Sequence, residues 1–282
     1  MKAKYVNPFT DFGFKKIFGE EASKHLLLDF LNTLLPKKAR IKTLSFKNTE
    51  HLGQTEIDRK AIYDIYCESE NGEKFIVELQ KAKQNFFKDR TVYYATFPIQ
   101  EQAEKGEWDY NLQAVYCVGI LDFRFDDYKN NPKKREVMHT IKLKNQHGKV
   151  FYSKLTYIYL EMPNFNKKEN ELKTHLDKWL YFIKNLEDFQ AIPSIFGEDI
   201  FVDAFEKAEL AGFNTSERDS YESSLKYYRD MKGSFDTAKS DGIIEGRMEE
   251  KLIIAKTLKE KGVAIDIISL ATGLSESEIE KL

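Results

Sequence analysis

Residues 56–94, EIDRKAIYDIYCESENGEKFIVELQKAKQNFFKDRTVYY, decide how the rest of the chain is read. From Lys60 to Glu68 the side chains follow the two-residue period of a strand. Ala61, Tyr63, Ile65 and Cys67 take one face and Ile62, Asp64, Tyr66 and Glu68 the other. From Phe75 to Gln80 the same period sets Phe75, Val77 and Leu79 against Ile76, Glu78 and Gln80. Glu70-Asn71-Gly72 between the two runs is a turn signal, so the stretch predicts a β-hairpin.

Loop length then decides which side chains meet. Residues opposed in an antiparallel pair share a face. A two-residue Asn71-Gly72 loop would pair Glu70 with Glu73 and send Asp64 and Glu78 to opposite faces. A three-residue loop, with Glu70 and Asn71 in a type I turn and Gly72 left-handed in a bulge, closes Ser69 on Glu73 and sets Asp64 opposite Glu78. The bulged loop is the expectation. Two carboxylates at cross-strand distance repel each other unless a cation lies between them. Oxygen ligands with room for water suit Mg²⁺ or Mn²⁺. The bland alternative is two acids on a solvated strand face.

Asp64, a turn, apolar residues leading into Glu78-Leu79-Gln80, and then Arg90 and Tyr94 resemble the core of the PD-(D/E)XK nuclease superfamily. More narrowly the chain resembles the recombination-promoting nuclease and transposase family, in which Gln commonly replaces the Lys of the E-x-K element. The opening Asp11-Phe12-Gly13-Phe14-Lys15 resembles that family's D-x-x-F-K element. The likeness implies an α/β, restriction-endonuclease-like fold, a mixed β-sheet flanked by helices, and a metal-dependent DNA endonuclease. It implies that Asp64, Glu78 and the Leu79 carbonyl hold Mg²⁺ or Mn²⁺, that Gln80 orients the attacking water, and that Asp11 completes the site, with Glu20 or Glu21 as fallback. Lys15, Arg90 and Tyr94 are the candidate contacts to the DNA phosphates. An amide in place of Lys carries no charge to stabilise the transition state. Lys81 is expected on the opposite face, whereas Lys60 shares the face of Asp64.

Composition sets outer bounds. The 282 residues allow one catalytic-size domain and an appendage, and the net charge of -2 means that any basic footprint for nucleic acid must be local. The most basic stretch runs through Lys129, Lys133, Lys134 and Arg135 to Lys142 and Lys144; it suits either a phosphate backbone or a solvated loop. Cys67 and Cys117 sit on apolar strand faces and read as buried, reduced thiols rather than a disulfide or zinc framework. With no apolar run of membrane-spanning length and no leader-like N-terminus, a cytoplasmic protein is expected. The five histidines form no H-E-x-x-H, and no phosphate-cradling glycine loop or nucleophile elbow occurs.

Elsewhere the pattern predicts a helix capped by Thr10, with Phe14, Ile17 and Phe18 inward, and a second helix from Glu20 to Leu35. Strands are expected at 41–48, 111–123, 137–143 and 155–162, the 111–123 run buried on both faces of the sheet. A helix over 84–106, bent near Pro98, should gather Phe86, Arg90, Tyr93, Tyr94 and Phe97. From Glu169 onward the period becomes helical, a third helix running far toward Lys261 with a linker or hinge at 230–242. The C-terminus reads as a small helix-turn-helix, with Gly262 as a cap, Ile265, Ile268 and Leu270 inward, and a Ser275/Glu278 capping box. Its last helix is short and acidic, which favours a dimerisation or docking element, such as a homo-oligomer contact, over DNA reading. The expected domains are 1–163 nuclease-like, 164–240 helical and 241–282 helix-turn-helix-like. A competing expectation is a catalytically inactive nuclease fold that binds DNA or a protein.

Overall fold

The computed structural model describes residues 3–51, 61–103, 106, 108–126 and 135–282. Lys60, Lys129, Lys133 and Lys134 lie outside the described residues. The centre of the fold is a mixed six-stranded sheet in the order β1-β4-β5-β6-β8-β7. Its strands are β1 Leu44–Phe46, β4 Ile65–Ser69, β5 Lys74–Gln80, β6 Val115–Leu121, β7 Met138–Lys144 and β8 Val150–Glu161. A separate two-stranded ribbon pairs β2 Glu50–His51 with β3 Ala61–Ile62.

β4 and β5 are the expected hairpin. Their antiparallel register sets Glu68 opposite Lys74 and Ile65 opposite Val77. Ser69 N–H bonds Glu73 O at 3.0 Å, Gly72 N–H bonds Ser69 O at 3.0 Å, and Gly72 has φ +83°. This is the three-residue bulged loop, and its register extends to Asp64 opposite Glu78. The strand expected from Lys60 is interrupted at Tyr63 and Asp64. Tyr63 gives its N–H to Thr49 O at 3.0 Å, and its ring packs 5.6 Å from Tyr66 and 5.5 Å from Tyr94. Tyr63 and Tyr66 thus share one apolar cluster, which breaks strict alternation and leaves Asp64 in a bend. β1 is shorter than the expected 41–48 because the N–H groups of Lys42 and Thr43 bond the Glu70 carboxylate instead of a strand.

β6 runs parallel to both neighbours, β5 and β8, and is buried except at Tyr116, as its apolar run predicts. β7 turns back antiparallel to β8 and forms one edge. Against the sheet lies α3, Phe87–Gln100, shorter than expected. Phe86 precedes it in the left-handed region at φ 60° and is exposed, so it stands outside the aromatic cluster anticipated for it. Pro98 falls in the last turn, where few backbone bonds remain to be broken.

The N-terminal helix α1, Asp11–Phe18, is capped by Thr10, whose Oγ1 accepts Gly13 N–H at 3.0 Å. α1 packs with α2 Lys24–Leu34, α4 His175–Asn185 and α5 Asp199–Ala208 around Phe18, Phe30, Trp179 and Phe201. Residues Met1–Tyr228 form one compact unit and Arg229–Leu282 a second. Helix α6, Thr215–Glu260, passes through the boundary and stays helical at Gly233, Gly242 and Gly246, so the anticipated hinge at 230–242 is helix.

The second unit has a small core of Ala255, Ile268, Leu274 and Ile279. Gly262 and Gly273, both left-handed, bound α7 Ile265–Thr272, and Ser275 and Glu278 form the expected capping box for α8 Glu276–Glu280. Leu270 is exposed, contrary to expectation, because two positions beyond the buried Ile268 a helix has turned to its far side. Among the described residues no helix is long and apolar enough to cross a membrane.

Candidate active site

The two acids of the hairpin meet. Asp64 donates its main-chain N–H to Glu78 Oε1 at 3.3 Å, and Asp64 Oδ2 accepts the Leu79 N–H at 2.6 Å. The bend at Asp64 allows this, since a residue leaving the ladder turns its carboxylate along the strand onto the next free amide. Burial raises the Asp64 carboxyl, the Leu79 N–H opposes the rise, and the negative charge of Asp11 adds to it. Burial also raises Glu78, and the neighbouring charge of Asp64 adds to it; Arg90 pulls the other way. Both acids therefore hold protons more tightly than free carboxylates do, because burial outweighs the positive groups near them.

Gln80 bridges this pair to α3. Its Nε2 donates to Glu78 Oε2 at 3.1 Å, and its Oε1 accepts from Arg90 Nη2 at 2.5 Å. Arg90 Nη1 also reaches Gln84 Oε1, and the guanidinium lies 5.8 Å from the Phe87 ring and 5.7 Å from the Tyr94 ring. Arg90, a candidate phosphate contact, here ties down the two amides, and its Nε is buried without a partner among the described residues. The Gln80 amide keeps a second N–H and a second lone pair for a water.

Asp11, in the first turn of α1, pairs with Lys15 Nζ at 3.2 Å and acts electrostatically on Asp64. The fallback acids are engaged elsewhere: Glu20 pairs with Lys16 and Glu21 with Lys24. Lys81 corrects the expectation that it faces away. β5 ends at Gln80, so alternation no longer governs the next residue. Burial lowers the Lys81 ammonium, while the charges of Asp11 and Asp64 oppose that shift and Lys15 repels it. Its Nζ lies 5.6 Å from the Tyr227 ring.

Beside Glu78 is a narrow cavity of ≈ 20 Å³, room for one water, bounded by Thr91, Tyr94, Gly119 and Tyr159. Gly119 pairs with Glu78 on one side and Tyr159 on the other, and a Cβ there would come within 2.9 Å of the Tyr159 ring. A glycine inside the strand-forming run 111–123 was the available signal of such a close approach. Tyr159 and Thr91 gave no comparable signal, since only the fold brings β8 and α3 to Glu78.

The donor set fits a hard divalent cation. It comprises two carboxylates raised by burial, with Asp11 in electrostatic range, and no soft ligand takes part. Among the described residues no group of three or more His, Cys, Asp or Glu is placed to hold a metal ion.

A family model described as PD-(D/E)XK nuclease family transposase matches residues 8–238, most of the chain and all of the elements above up to the middle of α6. No curated protein and no solved structure matches the chain.

Proposed function

The chain belongs to the PD-(D/E)XK nuclease family of transposases, and from that membership we propose that it is a metal-dependent endonuclease cleaving DNA phosphodiesters during transposition or recombination in the cytoplasm. The observation that carries this reading is the meeting of Asp64 and Glu78 across a bulged hairpin, each carboxyl raised by burial. Asp64, Glu78 and the Leu79 carbonyl would hold Mg²⁺ or Mn²⁺, whose Lewis acidity would acidify a bound water and offset charge on the scissile phosphate.

The remaining residues prepare the site. Gln80 holds Glu78 and Arg90 in place and uses its spare amide groups to orient the attacking water. Lys15, Arg90 and Tyr94 face the DNA phosphates, and Asp11 sets the charge around Asp64. Lys81 supplies the positive charge that Gln80 lacks, in support of which the charges of Asp11 and Asp64 both favour its ammonium form. Self-association through the C-terminal helices belongs to the same proposal.

A second reading, a catalytically inactive nuclease fold that only binds DNA or a protein, is favoured by the amide at position 80. Plasmid nicking by purified protein with Mg²⁺, Mn²⁺ or EDTA separates the two. The nuclease reading expects metal-dependent nicking that disappears in Asp64→Asn and Glu78→Gln while the circular dichroism spectrum is unchanged. DNA binding without nicking or metal uptake selects the second reading.

A further inference from the structure

The β7–β8 hairpin carries a chemistry that the cleavage site does not use. Between positions 137 and 160 the chain has four lysines, two histidines and no acid. Lys142, Lys144 and Lys149 make no ion pair among the described residues. Phe151, 83% exposed, stands among them. A basic ribbon with interleaved aromatics suits a phosphate backbone whose bases are uncovered.

At the base of the ribbon, between it and α3, is a pocket of ≈ 370 Å³. Its floor is formed by the rings of Tyr157 and Tyr159, 6.3 Å apart and 23° from parallel. Phe125 stands edge-on to Tyr159 at 5.5 Å, with the Lys88 ammonium 5.0 Å from its ring. The rim is apolar and open: Val92 is 55% exposed and Ile141 42%. Polar groups are few. His139 Nε2 lies 2.7 Å from Glu161 Oε1 without hydrogen-bond alignment, and the Tyr157 hydroxyl has no hydrogen-bond partner among the described residues.

Tyr159 also walls the cavity beside Glu78, and its hydroxyl bonds Thr91 at 2.6 Å. On α3, Arg90 reaches the candidate site while Lys88 and Val92 face the pocket. Those two span about 6 Å of helix, the scale of a nucleotide step.

We propose that this pocket receives an unpaired nucleobase of the DNA strand, next to the phosphate presented to Asp64 and Glu78, with the lysines of the β7–β8 hairpin tracking the backbone. The inference rests on the nuclease reading for the position of the strand. A base has a flat apolar body for the aromatic floor and a polar edge for Tyr157 and His139, and its phosphates meet the lysines of the ribbon. An acidic peptide would satisfy the lysines and leave the aromatic floor unused; an apolar peptide would do the reverse. The substrate is therefore DNA with a single-stranded or unstacked position at the cut.

The test is fluorescence anisotropy of the full chain in EDTA, where nothing is cleaved, with a labelled single-stranded oligonucleotide and an abasic backbone of the same length. The intact strand should bind roughly ten-fold more tightly, the scale of one or two stacked bases. Val92→Gln and Ile141→Thr, both at open rim positions, should bring that ratio toward one and leave abasic binding unchanged. Equal affinity of wild type for the two strands, or a ratio unmoved by both variants, overturns the pocket. Plasmid nicking in Mg²⁺ keeps the two ideas apart: nicking without a base-dependent ratio sinks the pocket alone, and a ratio without nicking sinks the nuclease reading alone. Absence of any DNA binding overturns both.

Discussion

The main-chain N–H of Asp64 points at the side chain of Glu78, its partner in register, at 3.3 Å. A ladder bond has been exchanged for a contact between the backbone of one acid and the carboxylate of the other. The exchange holds the two acids together, and the charge of Asp64 adds to the burial that raises Glu78.

The first prediction concerns pH. Burial, aided by the charge of Asp64, holds Glu78 above the usual carboxylate range. The folded state thus prefers the protonated acid more than the unfolded state does. Its contribution to stability is complete below the ordinary Glu value and is lost as pH rises through the raised one. In EDTA the Tm of wild type should fall as pH goes from mildly acidic to mildly alkaline, and Glu78→Gln should flatten that fall. At alkaline pH the variant should be the more stable, by about 2–4 °C for each kcal/mol of repulsion removed. Differential scanning calorimetry across pH measures this; parallel curves would refute it.

Metal uptake should expel protons, because the raised carboxyls must ionise to bind a cation. Isothermal titration with Mg²⁺ in buffers of different ionisation enthalpy is expected to give heats that depend on the buffer. The dependence should weaken in Glu78→Gln and grow as the pH is lowered. Buffer-independent heats would show that the carboxyls are already ionised.

Restoring a lysine at position 80 should impair the enzyme. Gln80 Oε1 accepts from Arg90, so Gln80→Lys would set an ammonium against a guanidinium and free Glu78 from its amide partner. Initial nicking rates are expected to fall about ten-fold or more. The double variant Gln80→Lys, Arg90→Gln should recover part of the loss. A faster single variant would mean that the amide serves no positioning role.

Arg90 separates positioning from phosphate binding. If its guanidinium also neutralises a phosphate, Arg90→Gln should reduce the slope of log affinity against log salt by about one contact's share. Arg90→Lys should keep the slope and still lose cleavage rate, since a compact ammonium lacks the planar fork whose two Nη groups reach Gln80 and Gln84. An unchanged slope in Arg90→Gln would restrict the residue to holding Gln80.

Gly72→Ala tests the loop that sets the register. Gly72 has φ +83°, where an L side chain costs about 1–2 kcal/mol, and its Cβ would lie 3.3 Å from the movable Gln113 side chain. The backbone term dominates, so denaturant unfolding should show a loss of that size with an unchanged m-value. A neutral Gly72→Ala would mean that the loop tolerates another conformation.

Much of the centre was legible because it depends on local rules. The Glu70-Asn71-Gly72 turn and two alternating runs specified the hairpin and its parity, since loop length and the period of two leave one register that keeps Val77 and Leu79 buried. The Thr10 cap, the buried run ending at Leu121 and the Ser275/Glu278 box are likewise encoded within a few residues of where they act. The errors arose where distant segments compete for the same groups. Tyr63 left the strand pattern for Thr49 and Tyr94, Lys42 and Thr43 gave up a strand for the Glu70 carboxylate, and Lys81 escaped alternation once β5 had ended.

By itself the sequence determined which acids face each other, because parity is a property of the chain between them. Only the tertiary structure decided what surrounds those acids. It brings α3 and β8 over Glu78, sets the charges of Asp11 and Lys81 within electrostatic reach of Asp64, and opens an aromatic pocket one tyrosine away. Those contacts join positions far apart in the chain, so they follow from how the apolar faces of sheet and helix pack, and no local spacing records them.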